Sequence, residues 1–254
     1  VMEAYQARDW MQLQYSRYIH GGWQHEDGRY IDTAHVKAIS FHESCRALFC
    51  PKCWACIGYV GRDSDEMFSC KACGAEYAIW GKPGEACGRY SLLFISGGNQ
   101  STKSFTGITE FCSWIEGKRP WDDTLTCIDK EPGLWLLAAP SHTQHFPDTV
   151  CPYFEQRMGH RIVRKQRDAN GSIKRYYLDD GDEVACVSYE QAMRAGSQAT
   201  SAFEGARYKG AYCDEPPPRK VLPGIMRGLL RWQSRGWGRM IIAATAVHHE
   251  YLFN

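Results

Sequence analysis

The stretch LLFISGGNQSTKSFTG, Leu92 to Gly107, decides how this chain is read. An apolar run of strand length meets two glycines, and Lys103-Ser104 then opens a proline-free segment suited to a helix. A strand, a glycine loop and a helix in that order form a phosphate cradle: loop N–H groups point inward, the lysine reaches phosphate oxygens and the hydroxyl takes Mg²⁺. The pattern G-x-x-x-x-G-K-[ST] falls on Gly97, Gly98, Asn99, Gln100, Ser101, Thr102, Lys103 and Ser104. Only Thr102 departs from it, placing a branched side chain where a second glycine would let the backbone approach the nucleotide.

Working outward, a strand is expected over Tyr90 to Ser96, a helix from Lys103 to about Glu116, a strand over Leu134 to Ala139 and a helix from Thr149 to Met158. A hairpin region, Ile162 to Val187, turns at Asn170-Gly171 and Asp180-Gly181. A strand ending at Asp214, a helix that carries Arg227 to Trp232 and a strand over Met240 to Ala244 follow. Strands alternating with helices predict an α/β fold with a mostly parallel sheet flanked by helices, its ligand at the carboxyl ends of the strands.

A phosphate loop needs acidic partners, and YKGAYCDEPPP, Tyr208 to Pro218, supplies them. Asp214 at a strand end suits the Mg²⁺ shell, and Glu215 beside it suits polarising an attacking water.

Cys50-x-x-Cys53 and Cys70-x-x-Cys73, 16 residues apart, have the spacing of a four-thiolate zinc site. Four thiolates leave no position for water, so the zinc is structural. Cys56 also has the spacing to Cys53, while Cys45 and Cys87 read as buried thiols. The division expected is an N-terminal segment, 1–45, a zinc-ribbon-like module, 46–82, and a P-loop domain, 83–254. Within the first segment a short helix is expected near Trp10 to Tyr18, and His20, His25, His35 and His42 read as surface or packing residues.

The chain has 254 residues, with 30 basic against 29 acidic, so no global field favours nucleic acid or membrane. No apolar run approaches the roughly 20 residues that span a bilayer, and the start lacks the apolar core of a signal peptide. An intracellular protein with its 12 cysteines reduced is expected.

Several segments taken in order resemble the ATPase domain of the large terminase subunit of tailed bacteriophages. They are FISGGNQSTKSFTG, GKRPW at Gly117 to Trp121, LWLLAAPSHTQ at Leu134 to Gln144, SAFEGARYKGAYCDEPPP at Ser201 to Pro218 and GWGRMIIAATA at Gly236 to Ala246. The resemblance covers about residues 90 to 250. It implies a P-loop NTPase fold of the additional-strand type, ATP and Mg²⁺ as cofactors, and a motor that couples hydrolysis to movement of double-stranded DNA into a capsid. It assigns Lys103 and Ser104 to phosphate and magnesium, Asp214 to the metal and Glu215 to catalysis. Thr245 falls on the coupling motif that senses the γ-phosphate. Implied partners are double-stranded DNA, a portal ring, a small terminase subunit and further copies in a ring, in the host cytoplasm.

The chain departs from the family at Thr102 and at Ala246, where proline is frequent. It also lacks the nuclease that usually follows, so no DNA cleavage is expected of these residues. The zinc module is not a family hallmark. Arg157 to Arg175 carries seven Lys/Arg and one acid, and Arg227, Arg231 and Arg235 recur every four residues; both could meet phosphates. No arginine finger can be chosen among them. Two other readings stay open: a helicase-like nucleic-acid ATPase with a zinc module, and a non-catalytic zinc nucleic-acid-binding protein with a degenerate loop.

Overall fold

The computed structural model describes residues 41–42, 44–59, 67–83, 92–97, 103–119, 125–126, 131–194, 203, 205–233 and 238–245. The helix expected near Trp10, the first three histidines, Cys87, Arg235 and the loop residues Gly98 to Thr102 lie outside them. The chain divides into two compact units, one formed by 1–80, 84–89 and 113–128, the other by 81–83, 90–112 and 129–254.

In the first unit, strands β1 (Ala47–Phe49) and β2 (Cys56–Tyr59) pair antiparallel, as do β3 (Met67–Ser69) and the start of β4 (Glu76–Pro83). Each hairpin tip carries one C-x-x-C turn. His42 is buried beside Phe41, and its carbonyl accepts from Arg119.

The second unit is built on a seven-stranded sheet of order β5-β11-β10-β6-β9-β8-β7. Its strands are β5 (Leu92–Gly97), β6 (Leu134–Ala139), β7 (Ile162–Arg167), β8 (Ile173–Leu178), β9 (Glu183–Ser188), β10 (Tyr208–Asp214) and β11 (Arg239–Thr245). Neighbours from β5 to β9 run parallel, while β8 pairs antiparallel with both β7 and β9. The two expected turns are present, with Gly171 at φ 81° and Gly181 at φ 87°, the left-handed region glycine enters without penalty. The interior strand β10 is buried along its whole length, its charged residues Lys209 and Asp214 included, as expected of a parallel strand covered on both faces.

Helix α1 (Lys103–Glu116) lies on one face, where Phe111 packs edge-on against Trp135 at 5.8 Å. On the other face Ile225 and Leu229 of α4 (Leu222–Gln233), with Tyr189 and Ala192 of α3 (Tyr189–Arg194), join Leu136, Ala211, Cys213, Met240 and Ile242 in one core. Helix α2 (Cys151–Met158) follows a π-helical turn over Phe146–Val150, so the helix expected from Thr149 begins as a wider turn. Ser141 Oγ accepts the N–H groups of Gln144 and His145 at 3.2 and 3.4 Å, satisfying donors at the start of that segment.

At the amino ends of the strands Lys209, only 2% exposed, lies 3.5 Å from Asp182 and donates to the Glu131 carbonyl at 2.7 Å. Asp182 also accepts from Gly133 N at 2.7 Å and Trp135 Nε1 at 3.0 Å. Burial pushes the Asp182 carboxyl up despite these partners. No helix among the described residues is long and apolar enough to cross a membrane.

Candidate nucleotide site and metal centre

β5, β11 and β10 end side by side, and their ends carry the residues singled out above. In the ladder Thr245 of β11 pairs with Gly97 of β5, and Asp214 of β10 pairs with Ala243. The first loop glycine, the polar end of β11 and the acidic end of β10 therefore share one edge. Helix α1 starts at Lys103, which directs its positive end to the same place.

Contacts follow this placement. Ser104 Oγ donates to Asp214 Oδ1 at 2.7 Å, although the residues are 110 apart in sequence. Lys103 Nζ lies 3.5 Å from Glu215 Oε1, with the lysine 11% and the glutamate 27% exposed. Thr245 holds the same carboxylate twice, Oγ1 donating to Oε1 at 2.7 Å and its backbone N–H to Oε2 at 2.9 Å. Lys103, Ser104, Asp214, Glu215 and Thr245 are thus brought together, and Gly98 to Thr102 lie outside the described residues.

Adjacent residues of a regular strand point to opposite faces, so an Asp-Glu pair inside a strand could not serve one site. The chain solves this by turning at Glu215, where φ is 64°. A left-handed non-glycine residue costs about 1–2 kcal/mol, and specific bonds hold it. Glu215 N donates to the Ala243 carbonyl at 2.7 Å, and Tyr189 OH donates to the Glu215 carbonyl at 2.8 Å. Strain of this kind concentrates at functional sites.

Two tyrosines were missed by sequence reading. Tyr189 fixes the Glu215 turn, and Tyr212 OH donates to Asp214 Oδ1 at 2.8 Å. Burial pushes both phenols far above their usual range, with Asp214 adding to the effect at Tyr212 and Cys213 at Tyr189. The only sequence signal was the two-residue spacing of Tyr212 and Asp214, which puts both on one strand face.

The site suits a hard cation. The Ser104 hydroxyl hydrogen is directed to Asp214, which leaves its oxygen lone pairs for a metal, and Mg²⁺ takes such oxygen donors with retained waters.

In the first unit Cys50, Cys53, Cys70 and Cys73 converge, their sulfurs all within 4.8 Å of one another. The Cys50–Cys73 and Cys53–Cys70 separations are 3.6 and 3.5 Å, close to the edge of about 3.8 Å expected for a ZnS₄ tetrahedron. The two turns repeat each other. Trp54 N–H donates to the Cys50 carbonyl at 2.8 Å and Gly74 N–H to the Cys70 carbonyl at 2.7 Å. Trp54 and Gly74, each just after the second cysteine of its turn, have φ of 59° and 70°. Burial raises the Cys70 thiol, but N–H groups of Ala72 and Cys73 and the neighbouring sulfurs outweigh it and bring it to about 7. The Ala55 N–H lowers the Cys53 thiol, but the neighbouring sulfurs and burial outweigh it and push it up to about 12. The Ala75 N–H is likewise outweighed at Cys73, which is raised by burial and by the Cys50 and Cys70 sulfurs.

The basic stretch is largely paired. Lys165 meets Glu155 at 2.6 Å, Lys174 meets Asp168 at 3.3 Å, Arg175 meets Glu183, and Arg164 stacks on Tyr177 at 3.8 Å. Arg227 and Arg231 are both exposed on α4.

Solved large terminases are similar to this chain. The large terminase of a thermophilic bacteriophage matches over 61% of this chain and 34% of its own, at 9% identity and a TM-score of 0.42. The same terminase in complex with ADP matches over 59% and 33%, at 10% identity and 0.40. The large terminase ATPase domain of Thermus phage P74-26 matches over 65% and 64%, at 15% identity and 0.36. The chain spans about a third of the length of the first of these proteins. No family model and no curated protein matches the sequence.

Proposed function

We propose that this chain is an ATP-hydrolysing motor domain of the terminase type, coupling turnover to movement of double-stranded DNA. The observation that carries the reading is the meeting of Lys103, Ser104, Asp214, Glu215 and Thr245 at the carboxyl edge of three adjacent strands. One strand, β11, separates the loop strand β5 from the acidic strand β10, which is the order an additional-strand P-loop domain requires.

In this reading Lys103 and the N-terminus of α1 neutralise phosphate oxygens. Ser104 and Asp214 would hold Mg²⁺, which supplies charge stabilisation to the transferring phosphoryl group when bound. Glu215 orients a water for in-line attack and draws off its proton, and Thr245 sets the carboxylate's direction. Because Thr245 and Glu215 are bonded to each other, a change in Glu215 is transmitted to β11, the natural start of a coupling path. The zinc centre is structural and stiffens the two hairpins. A portal ring, a small subunit and further copies of the chain are the partners this reading calls for, with the exposed Arg227 and Arg231 of α4 as phosphate contacts.

The test is steady-state ATP hydrolysis with and without double-stranded DNA. Lys103→Ala and Glu215→Gln should each abolish DNA-stimulated turnover, and unchanged turnover in either would refute the assignment. Strand separation on a tailed duplex would instead favour the helicase-like reading.

A further inference from the structure

We propose that the buried hydroxyl of Tyr212 is a positioning group for the divalent-cation site, tying the α1 hydroxyl ligand and the β10 carboxylate into one unit. The inference rests on the nucleotide reading above and deepens it by naming a residue that sets metal affinity without touching the metal.

Tyr212 is 0% exposed and sits two residues before Asp214 on the same strand face. Its hydroxyl lies 2.8 Å from Asp214 Oδ1 and 3.4 Å from the Ser104 carbonyl. Ser104 Oγ donates to that same Oδ1 at 2.7 Å. Two donors converging on one oxygen fix the carboxylate's rotation, and one phenol reaches both the strand end and the helix start. The ring is held as well: Phe111 lies 6.2 Å away between centroids, and Gly107 of α1 faces it with no side chain between.

A buried core position would be filled as well by phenylalanine, and burying a hydroxyl is unfavourable unless it is bonded. The bond that satisfies this hydroxyl goes to the one carboxylate the cation site needs. Groups behind metal ligands typically change metal affinity by about 10- to 100-fold when removed.

The test is the Mg²⁺ dependence of binding of a fluorescent ATP analogue to the full chain, with Mn²⁺ binding followed by electron paramagnetic resonance as a readout independent of turnover. Tyr212→Phe, which keeps the ring and removes one oxygen, should raise the Mg²⁺ midpoint about tenfold and leave analogue binding in EDTA unchanged. In an Asp214→Asn background the same change should add no further shift, because its route to the metal is gone. An unshifted midpoint in Tyr212→Phe, or an equal shift in both backgrounds, would overturn the proposal while leaving the nucleotide reading intact. No analogue binding by the parent at any Mg²⁺ concentration would overturn both.

Discussion

Replacing Gly107 by alanine tests whether the approach of α1 to the sheet is what assembles the site. A Cβ at this position would lie 2.7 Å from Tyr212 Cε2 and 3.4 Å from Ile241 Cγ2. Carbon atoms relax at about 3.5–4.0 Å, so helix and ring must part by about 1 Å. Tyr212 cannot swing aside easily, because its ring is buried and its hydroxyl is bonded to Asp214. The helix has to yield. Ser104, one turn nearer the helix start, then draws away from Asp214, and their 2.7 Å bond passes beyond the O–H···O limit of about 3.0 Å. Overpacking costs about 1–3 kcal/mol, offset by about 1 kcal/mol because alanine is the better helix former. A net loss of up to about 2 kcal/mol lowers the melting temperature by about 4–8 °C in a chain of this size. The assays are thermal unfolding and Mg²⁺-dependent nucleotide binding on the same preparations. Melting below the parent together with weakened Mg²⁺-dependent binding is expected. A variant that melts at or above the parent and binds Mg²⁺-nucleotide equally well would refute the reasoning.

Elemental analysis should find close to one zinc per chain, lost in Cys53→Ser and in Cys70→Ser, and a folded protein with no zinc would contradict the centre. Lys209→Met leaves Asp182 buried without its cation and should cost about 3–5 kcal/mol in denaturant unfolding, so a loss below about 1 kcal/mol would show the pair to be dispensable. Burial raises the Asp180 carboxyl, but the hydrogen bond and charge of Arg161 outweigh it and hold it below the usual range. A depressed carboxylate stabilises the fold above its unfolded value of about 3.9 and loses that contribution as pH falls through its folded value. Arg161→Ala should therefore be less stable than the parent near neutrality, by under about 1 kcal/mol given the pair's exposure, with the gap closing below about pH 4; a gap that widened in acid would reverse the sign.

β5, β6 and β11 were legible because they are short, mostly apolar runs, and the β7–β8 and β8–β9 connections because each holds a glycine turn. β6 and the end of β10 fall where the sequence placed them, and α1 runs over Lys103–Glu116 as expected. Helix α4, Leu222–Gln233, carries Arg227 to Trp232 as expected, and Pro223 sits in its first turn, where proline is favourable. The site's parts were legible as residue types, since a Lys-Ser pair after a glycine loop and an Asp-Glu pair at a strand end each have few uses. Their assembly was not. The left-handed turn at Glu215 depends on Tyr189, 26 residues away, and local sequence carries no sign of it. The pairing within the basic stretch was equally hidden, because its acidic partners Glu155 and Glu183 lie outside the run.

The account stands most directly on whether the edge formed by β5, β10 and β11 binds nucleotide. Titration of the full chain with a fluorescent ATP analogue and Mg²⁺, beside Lys103→Ala and Thr102→Gly, measures this. Saturable binding in the parent, equal or tighter in Thr102→Gly and lost in Lys103→Ala, is the predicted result. No binding in the parent, or binding indifferent to Lys103, would contradict the account and turn attention to the zinc centre.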